Sequence, residues 1–541
     1  MNKLLYIFHV TIISALLTSC ADKTPGLWSA QATPTHPSQP APTITLTLQP
    51  TISPSPSITP LMVIPMPGTQ TPEIGSTPVL QTPDPKLTTK PATATLPPVN
   101  TSGVPMDQYW TQGGDTLNIL SKRFSLSPDQ FIANINLPLP DQLIPVNTLL
   151  LVPKPAPDSK FTSSERTIPD SEVAFGPSSI NFSSQDYVVS KGGFLSTYRV
   201  YTVFAGWLTG YQAVDSISQD NSLSPRILLA IIEYESHWVL GQPTNLAQED
   251  YPLGYIDFSY RGLFRQLMWA SGALSDGYYR WRSGDLHEIK FKDGSKLRLS
   301  PFLNAGSVAV QYYFAQNHTR AEWEQAMSPN GFPALYARMF GPTLQRAEAF
   351  EPTIPDGLTQ PALTLPFELG KLWALTSGPH SAWEKQGGAL AALDLAPGSM
   401  ESGCVLSDAW VVAPAAGKVV RVGQGEVIFD LDMDGYEQTG WDILFMHIRN
   451  DEKAQLGQVL QPGDHIGHPS CEGGVATGTH LHIARKYNGE WILADGPLAF
   501  NMDGWIAHNG SLPEKGTMTR NGQTVTACTC SSKETNLIRG Q

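Results

Sequence analysis

A segment rich in proline and threonine most limits what this chain can fold into. Residues 21–105 of the 541 contain 19 Pro and 17 Thr, with few charged or aromatic side chains. Such a stretch buries too little apolar surface to offset the entropy lost on folding, and its prolines favour extended polyproline II. We therefore predict a disordered linker over residues 21–106 that serves as a tether. The full length of 541 residues suggests three or four units at roughly 150 residues each.

The net charge of −13 at neutral pH comes with no block of basic residues. Binding to nucleic acid needs a basic surface that neutralises phosphates. The composition therefore excludes nucleic acid as a partner.

The first twenty residues have the pattern of an export signal. Lys3 precedes an apolar run from Leu4 to Leu17, which is too short for a comfortable membrane span. The run leads into Leu-Thr-Ser-Cys20, which resembles the lipobox of bacterial lipoproteins, where the cysteine is lipidated. The resemblance implies that residues 1–20 are a lipoprotein signal peptide and that Cys20 anchors an exported protein to a membrane, on the cell surface or periplasmic side. The alternative is an ordinary cleaved signal with an incidental cysteine.

Ordered sequence begins after the linker. Residues 107–154 contain Gly-Asp-Thr-Leu at 114–117, a central Asn134 and a closing Leu-x-Val-Pro at 150–153. These features resemble the LysM module, a small βααβ fold, and the resemblance implies binding to the N-acetylglucosamine-containing glycan of peptidoglycan or chitin. The sequence departs at Asn147, where the family usually has Gly, but Asn also tolerates the left-handed conformation. The alternative is a small fold without a ligand.

A helical pattern dominates residues 175–350. Ser224 is a suitable N-cap and Pro225 a suitable first helical residue. The run at 226–238 is apolar on nearly all sides, so this helix is predicted to be buried. Glu235 lies on one of its apolar stripes, where desolvation would raise its pKa toward the range of a general acid.

The run that ends at Glu235 resembles the catalytic helix of the lysozyme-like lytic transglycosylases, whose glutamate protonates the glycosidic oxygen. The resemblance implies a lysozyme-like fold and glycan cleavage by Glu235. Glu233 is a rival for the acid because it lies only two positions away. The family's Gly-Leu-Met-Gln segment is present only as Gly-Leu-Phe-Arg-Gln at 262–266, one residue longer. A helical scaffold without activity is the alternative.

Alternating strand patterns fill residues 365–515. Valines alternate between 411 and 422, and a further run covers residues 442–448. His480 and His482 are two positions apart in such a run, so both side chains point to one face of a strand. Paired imidazoles, with a third histidine and an aspartate nearby, are the groups that a zinc hydrolase uses.

This region resembles the lysostaphin-type zinc endopeptidases, which cut peptide bonds in peptidoglycan. By the family's motif, His482 is a metal ligand, and Asp394 in Ala-Ala-Leu-Asp-Leu matches the metal-binding aspartate. His480 and His447 would orient the water and stabilise the tetrahedral oxyanion. The resemblance implies one Zn²⁺ ion in a β-rich peptidase domain.

The first histidine ligand of that family is the point of departure. It stands four residues before the aspartate, but this position is Leu390 here. The nearest candidate is His380, with Gln-Gly-Gly at 386–388 as a looped insertion before Asp394. If the insertion folds back, His380, Asp394 and His482 complete the zinc site; otherwise the site is degenerate.

An acidic run at 430–435 reads Asp-x-Asp-x-Asp-Gly, the spacing that begins a calcium loop. The twelfth position of the loop is Trp441 rather than the usual Glu. A calcium ion (Ca²⁺) and a plain acidic turn are both open interpretations.

Two other histidines, His465 and His468, lie in a turn-rich hairpin. We predict that they face solvent or line the rim of the site.

Four cysteines follow Cys20. Cys404 and Cys471 flank the proposed zinc site, and an oxidising exterior favours a disulfide between them. Cys528 and Cys530 are too close in sequence to pair easily, and we assign them no role.

The predicted fold class is a multidomain chain. A disordered Pro/Thr-rich linker precedes a small βααβ LysM module, a mainly-α lysozyme-like domain and a β-rich lysostaphin-type peptidase domain, and residues 516–541 form a tail. The leading predicted function is surface-anchored, zinc-dependent hydrolysis of peptidoglycan peptides. The alternatives are transglycosylase-type glycan cleavage by the helical domain and a non-catalytic scaffold that binds the cell wall.

Overall fold

The computed structural model describes residues 103–156, 159–203, 205–383, 388–399, 401–529 and 537–539. The predicted signal peptide, the lipidation site at Cys20 and nearly all of the predicted linker lie outside these residues. Among the described residues, no helix combines the length and the apolar character needed to cross a bilayer.

The first folded segment is a small sheet with one α-helix. Its elements are β1 (Met106–Trp110), α1 (Leu117–Phe124), β2 (Ile132–Ala133) and β3 (Leu149–Pro153). β3 lies between β1 and β2 and is antiparallel to both. Asn147, just before β3, has a φ of 60°, which is the left-handed conformation expected where the LysM family has Gly.

The predicted βααβ order of this segment is wrong at one point, because the second helix does not form. A single 3₁₀ turn at Pro128–Gln130 stands where that helix was expected, and the chain then becomes extended. Ile132 pairs with Leu151, and Phe131 is buried in the small core. Pairing with the free edge of β3 satisfies backbone groups, and the β-branched Ile132 favours a strand.

Residues 184–347 form a helical body with two short hairpins. The elements are α2 (Ser184–Lys191), β4 (Arg199–Thr202), β5 (Gly206–Thr209), α3 (Gly210–Asn221), α4 (Pro225–Ser236), α5 (Leu246–Asp250), α6 (Leu263–Arg282), β6 (Glu288–Lys290), β7 (Lys296–Arg298), α7 (Ala305–Asn317), α8 (Arg320–Ala326), α9 (Phe332–Phe340) and α10 (Thr343–Ala347).

The buried helix of this body is α4. It begins at Pro225, as the sequence predicts, although the side chain of Ser224 makes no capping hydrogen bond. All residues from Ile227 to Ile232 are buried. α6 packs closely against α7 because Gly277 has no side chain: a Cβ atom there would lie 2.7 Å from the Cβ of Tyr312.

The rest of the chain is a β region. Its strands are β8 (Leu372–Ser381), β9 (Leu390–Pro397), β10 (Val411–Val412), β11 (Gly417–Gly423), β12 (Glu426–Asp430), β13 (Trp441–Met446), β14 (Val459–Leu460), β15 (His465–Gly467), β16 (Leu481–Tyr487), β17 (Glu490–Trp491), β18 (Asn501–Met502), β19 (Trp505–Asn509), β20 (Gly516–Arg520), β21 (Gln523–Thr526) and β22 (Leu537–Arg539).

The main sheet of this region has the order β14-β11-β12-β13-β16-β9-β8-β22, with β17 paired to β16. A second sheet has the order β18-β19-β20-β21. The prediction of a C-terminal tail over residues 516–541 is therefore wrong where this part of the chain forms β20, β21 and β22. The period-2 pattern of these strands is short and mostly polar, which is why it did not stand out in the sequence.

Both faces of the main sheet are buried. Along β13, Ile443 and Phe445 point into a core shared with the second sheet, whereas Leu444 and Met446 join the core of the helical body. This alternation follows from the pleat of a strand. The helical body therefore packs on one face of the main sheet.

Glu490 joins the helical body to the sheet. Its carboxylate accepts hydrogen bonds from Arg282 at 2.7 Å, Tyr278 at 3.0 Å and Thr353 at 2.7 Å. Arg282 also pairs with Asp170 at 3.0 Å. Because Glu490 and Arg282 are both buried, removing either one would leave the other as a poorly compensated buried charge.

Candidate metal centre

Three residues predicted as zinc ligands meet on three neighbouring strands inside the main sheet. His380 lies on β8, Asp394 on β9 and His482 on β16, and these strands are neighbours. His482 stands directly opposite Asp394 in the ladder between β16 and β9, so their side chains share a face. An oxygen or nitrogen from each of the three lies within 4.8 Å of the other two.

His380 reaches this group because the ladder between β8 and β9 is irregular. The pairing shifts on both sides of His380, which is opposite Ala392 rather than Asp394. Such bulges re-aim a side chain relative to its neighbours. β9 pairs antiparallel with β8, so Asp394 lies close to His380 across the two strands, which is the condition the sequence left open.

The three candidate ligand atoms form a compact triangle. His380 Nε2 is 3.0 Å from His482 Nδ1, and each of these atoms is 3.2 Å from Asp394 Oδ1. With metal–ligand bonds of about 2.0–2.1 Å, tetrahedral zinc ligands lie roughly 3.3 Å apart. The spacing therefore suits one zinc ion with few adjustments.

The second nitrogen of each imidazole makes a hydrogen bond to a backbone carbonyl. His380 Nδ1 donates to Gly378 at 2.9 Å, and His482 Nε2 donates to Ala382 at 2.9 Å. Since a carbonyl oxygen only accepts, these bonds place the protons on the outer nitrogens and leave lone pairs on the inner ones. With both rings neutral, two lone pairs and a carboxylate oxygen face one point, an arrangement that suits a cation. The donor set fits zinc.

The short distances between the three residues shift their pKa values. Burial alone would raise the pKa of Asp394, but the charge and hydrogen bond of His380 hold it well below its usual range. Burial would lower the pKa of His380, but the charge of Asp394 raises it overall. Burial lowers the pKa of His482. The aspartate is therefore ionised and ready to bind a cation.

The two residues predicted to act on the substrate lie beside the triangle. His480 Nε2 is 3.6 Å from Asp394 Oδ2, and the rings of His480 and His447 are 4.4 Å apart between centroids. His480 Nδ1 donates to Gly478 at 2.7 Å, and His447 Nδ1 donates to Glu472 at 2.8 Å. Both Nε2 atoms are consequently lone-pair acceptors.

His447 has an unusual backbone conformation. It follows β13 directly and has a φ of 61°, a region that residues other than Gly rarely adopt. Burial, followed by the charges of His480 and His482, lowers its pKa to about 4. The ring is therefore neutral at neutral pH.

A disulfide supports the side of the site that carries His480. Cys404 and Cys471 are bonded, which is the pairing the sequence favoured. The two residues that flank Cys404 contact Thr479. Thr479 N donates to the Gly403 carbonyl at 3.1 Å, and Val405 N donates to the Thr479 hydroxyl at 2.9 Å. Cys528, to which the sequence analysis assigned no role, is also in a disulfide.

The prediction that His465 and His468 both face solvent or the rim is wrong for His468. His465 is exposed, but His468 is buried, with its ring centroid 3.6 Å from that of Trp410. Its Nδ1 donates to the Ala409 carbonyl at 2.9 Å. The sequence shows a turn-rich hairpin and does not show that Trp410 covers this ring.

Glu235 and Glu233 occupy different environments at the end of α4. Glu233 Oε2 accepts hydrogen bonds from the backbone of Val239 at 3.1 Å and Leu240 at 2.8 Å, which holds the chain after the helix. Glu235 Oε1 is buried and has no hydrogen-bond partner among the described residues. Burial raises the pKa of Glu235 to about 8, and the hydrogen bond from Asn317 opposes this shift.

Sequence reasoning missed the carbonyl groups that orient the histidines. The carbonyls of Gly378, Ala382, Glu472 and Gly478 fix the four rings. Any residue type offers a carbonyl, so no sequence signal marks these positions.

The helical body is similar to a known protein family. Residues 166–352, which contain the helical body, match the family described as LasA, N-terminal domain. No curated protein matches the chain. The lysozyme-like interpretation of the helical body stays a prediction.

Several solved peptidases are similar to part of this chain. The M23 metalloprotease pseudoalterin from the deep sea has 21% identity and a TM-score of 0.26, over 31% of this chain and 96% of that one. The catalytic domain of lysostaphin from Staphylococcus simulans has 20% identity and a TM-score of 0.17, over 24% and 89%. A zinc-containing peptidase from Vibrio cholerae has 17% identity and a TM-score of 0.19, over 26% and 41%.

Proposed function

We propose that this protein is a zinc-dependent peptidase that cuts peptide bonds of peptidoglycan. The observation that carries the metal assignment is the triangle of His380 Nε2, Asp394 Oδ1 and His482 Nδ1, whose edges measure 3.0–3.2 Å. The carbonyl hydrogen bonds on the outer nitrogens of both histidines leave the inner nitrogens of the neutral rings with lone pairs that can bind a metal. The cell-wall substrate rests on the resemblances to the lysostaphin-type endopeptidases and to LysM within one chain.

The neighbouring histidines would handle protons. A zinc ion held by His380, Asp394 and His482 would supply the Lewis acidity that activates water and polarises a peptide carbonyl. His447 and His480 present lone pairs at Nε2, so each can accept a proton during attack. After accepting it, each ring can donate a hydrogen bond to the tetrahedral oxyanion.

The experiment that tests this function is product analysis after digestion of purified peptidoglycan by the full chain. We expect new free amino groups, dependent on zinc and lost in His482→Ala. The matched control is His287→Ala, which removes an exposed histidine of the helical body and should keep both zinc and activity. If the unmutated chain binds no zinc or releases no amino groups, the peptidase proposal is wrong and the scaffold alternative is favoured.

A second candidate activity is glycan cleavage by the helical body. It is favoured by the buried Oε1 atom of Glu235, which makes no hydrogen bond within the described residues and lies 3.7 Å from His318 Nε2. It is also favoured by the pKa of Glu235, about 8, because a general acid must hold a proton at neutral pH. Glu233 is committed to backbone hydrogen bonds and is the weaker candidate. New anhydro-muramyl or reducing ends that disappear in Glu235→Gln and persist in His482→Ala would establish this activity. Their absence from digests by the unmutated chain would exclude it.

We also propose that residues 107–154 bind the glycan strands of peptidoglycan. The support is the LysM-like sequence and the left-handed Asn147 at the position of the family's glycine. This segment alone should cosediment with insoluble peptidoglycan, and soluble chitin oligomers should compete. A segment that stays in the supernatant would contradict the proposal.

The proposed location is the outer side of a membrane, through a lipid on Cys20. The lipobox-like run is its only support. Cys20→Ser should move the protein from the membrane fraction to the soluble fraction. A variant that still sediments with membranes would show that Cys20 is not the anchor.

A further inference from the structure

The loop between β12 and β13 gathers three carboxylates. Asp430 ends β12, and Asp432 and Asp434 follow in the Asp-x-Asp-x-Asp-Gly run. One oxygen from each lies within 4.8 Å of the other two. Ligands at about 2.4 Å from a calcium ion can be no more than roughly 4.8 Å apart, so the three oxygens can share one ion. An acidic loop alone would not establish a site, because exposed carboxylates often cluster without a metal.

Asp442 is the observation that changes this interpretation. It lies on β13 directly opposite Asp430, so its side chain points to the same face as the first carboxylate of the loop. Asp442 is fully buried, and neither of its oxygens has a hydrogen-bond partner in the described part of the chain. Burying an unpaired carboxylate is very costly, so a protein keeps one only where a proton or a cation compensates it.

The nearby lysines make no hydrogen bond to this carboxylate, although the charge of Lys486 opposes the rise in the pKa of Asp442 that burial causes. Lys486 stands opposite Asp442 on β16, but its ammonium donates to Glu437 at 2.9 Å. Lys418 stands opposite Asp430, and its Nζ atom lies next to Gly435, 3.2 Å from the position of a Cβ there. Both oxygens of Asp442 therefore stay open to a metal ion in the described part of the chain.

We propose that Asp430, Asp432, Asp434 and Asp442 hold a calcium ion. An all-oxygen set rich in carboxylates suits this hard cation, whereas zinc prefers nitrogen and sulfur ligands. The site differs from an EF-hand loop because its fourth carboxylate comes from the following strand. That residue occupies the thirteenth position, directly after Trp441, so the loop pattern in the sequence did not include it.

The calcium site and the zinc site lie at opposite ends of the same pair of strands. Asp442 faces Lys486 at one end of the ladder between β13 and β16, and Met446 faces His482 at the other end. Four residues of strand separate the two positions by roughly 13 Å. Calcium would therefore stabilise the strands that carry the zinc ligand without touching the reacting groups.

The test uses the full chain, loaded with zinc and freed of calcium, and titrated with CaCl₂ up to about 10 mM, which covers the weak affinities of extracellular calcium modules. We expect saturable binding of one calcium ion, a higher melting temperature and unchanged zinc content. MgCl₂ should give a smaller shift, because Mg²⁺ dehydrates reluctantly and demands octahedral geometry.

Two variants separate a calcium ligand from a folding defect. Asp442→Asn removes the buried carboxylate, and Asp434→Asn removes an exposed one that does not support the core. Both should weaken calcium binding by about tenfold or more, the size of the loss of one charged ligand. The matched control is Asp141→Asn, an exposed aspartate outside the loop, which should bind calcium like the unmutated chain. No binding by the unmutated chain, or full affinity in folded Asp434→Asn and Asp442→Asn, would overturn the proposal.

Discussion

His380 Nε2 lies 3.2 Å from Asp394 Oδ1, although the two residues are fourteen positions apart in the chain. The distance is short because β8 and β9 form an antiparallel hairpin whose register shifts on both sides of His380. A spacing that departs from the family pattern is therefore compatible with a complete ligand set. The chemistry depends on where the side chains converge, and the number of residues between them can vary.

The first prediction separates ligands from proton-handling residues. His380→Ala should lose zinc and activity together, because two remaining ligands hold zinc poorly. His480→Ala should keep zinc and lower turnover by about 10²–10⁴-fold, the usual size of a lost general-base or oxyanion contribution. Zinc content and release of amino groups are measured on the same samples. Stoichiometric zinc and full activity in His380→Ala would show that the first ligand is another residue.

The second prediction concerns the disulfide between Cys404 and Cys471, which closes a loop with a sequence separation of 67. Replacing both cysteines with Ser should lower the free energy of unfolding by about 4 kcal/mol in the chain-entropy model. Turnover should also fall, because the loop beside this bond holds Thr479 next to His480. Zinc content should not change. The measurements are denaturant unfolding, zinc content and peptidase rate; zinc loss in this variant would mean that the bond supports the ligands themselves.

The third prediction concerns the buried pair of Glu490 and Arg282. Glu490→Ala should lower the free energy of unfolding by about 3–5 kcal/mol, because it leaves a buried guanidinium with fewer partners. The comparison is Asp285→Ala, which breaks an ion pair with Lys122 whose side chains are 57% and 51% exposed. That change should cost less than about 1 kcal/mol. Equal effects of the two variants in denaturant unfolding would contradict the role assigned to Glu490.

The fourth prediction concerns pH. The folded-state pKa of Glu235 is about 8, above its ordinary value of 4.5, so the folded protein binds a proton more tightly than the unfolded chain. The stability that this proton provides is complete below pH 4.5 and is lost as the pH rises to about 8. Glu235→Gln should remove this slope, because Gln is neutral throughout.

Its control is Glu233→Gln, which weakens the acceptor for Val239 and Leu240. That variant should be less stable at every pH and should keep the slope of the unmutated chain. Unfolding free energies measured across this pH range check both statements. A slope that persists in Glu235→Gln would assign it to another group.

Sequence patterns predicted the site better than they predicted its surroundings. Strand alternation predicted that His480 and His482 share one face, and the antiparallel pairing of β8 with β9 brings His380 to Asp394. Patterns could not reveal that Trp410 covers His468, because that contact joins separate segments. They also missed Asp442, whose importance depends on the strand opposite it.

The remaining differences have local physical causes. The 3₁₀ turn at Pro128–Gln130 replaces a predicted helix because the next residues gain a strand partner in β3. The mostly polar side chains of β20 and β21 do not predict strands, although the two pair in register with each other. Tertiary pairing decides the structure of short segments like these, whereas longer periodic runs such as α4 are set by their own sequence.

The packing of the helical body on the main sheet also bears on the order in which the two parts fold during synthesis. Ile428, Leu444, Ala484 and Trp491 are buried only because they join the core of the helical body. Synthesis proceeds from the N-terminus, so the ribosome releases that body before it releases these strands. The apolar face of the sheet therefore meets its cover as soon as it emerges. Moving the sheet to the start of a rearranged gene would reverse that order and leave this face in water while the rest of the chain is made.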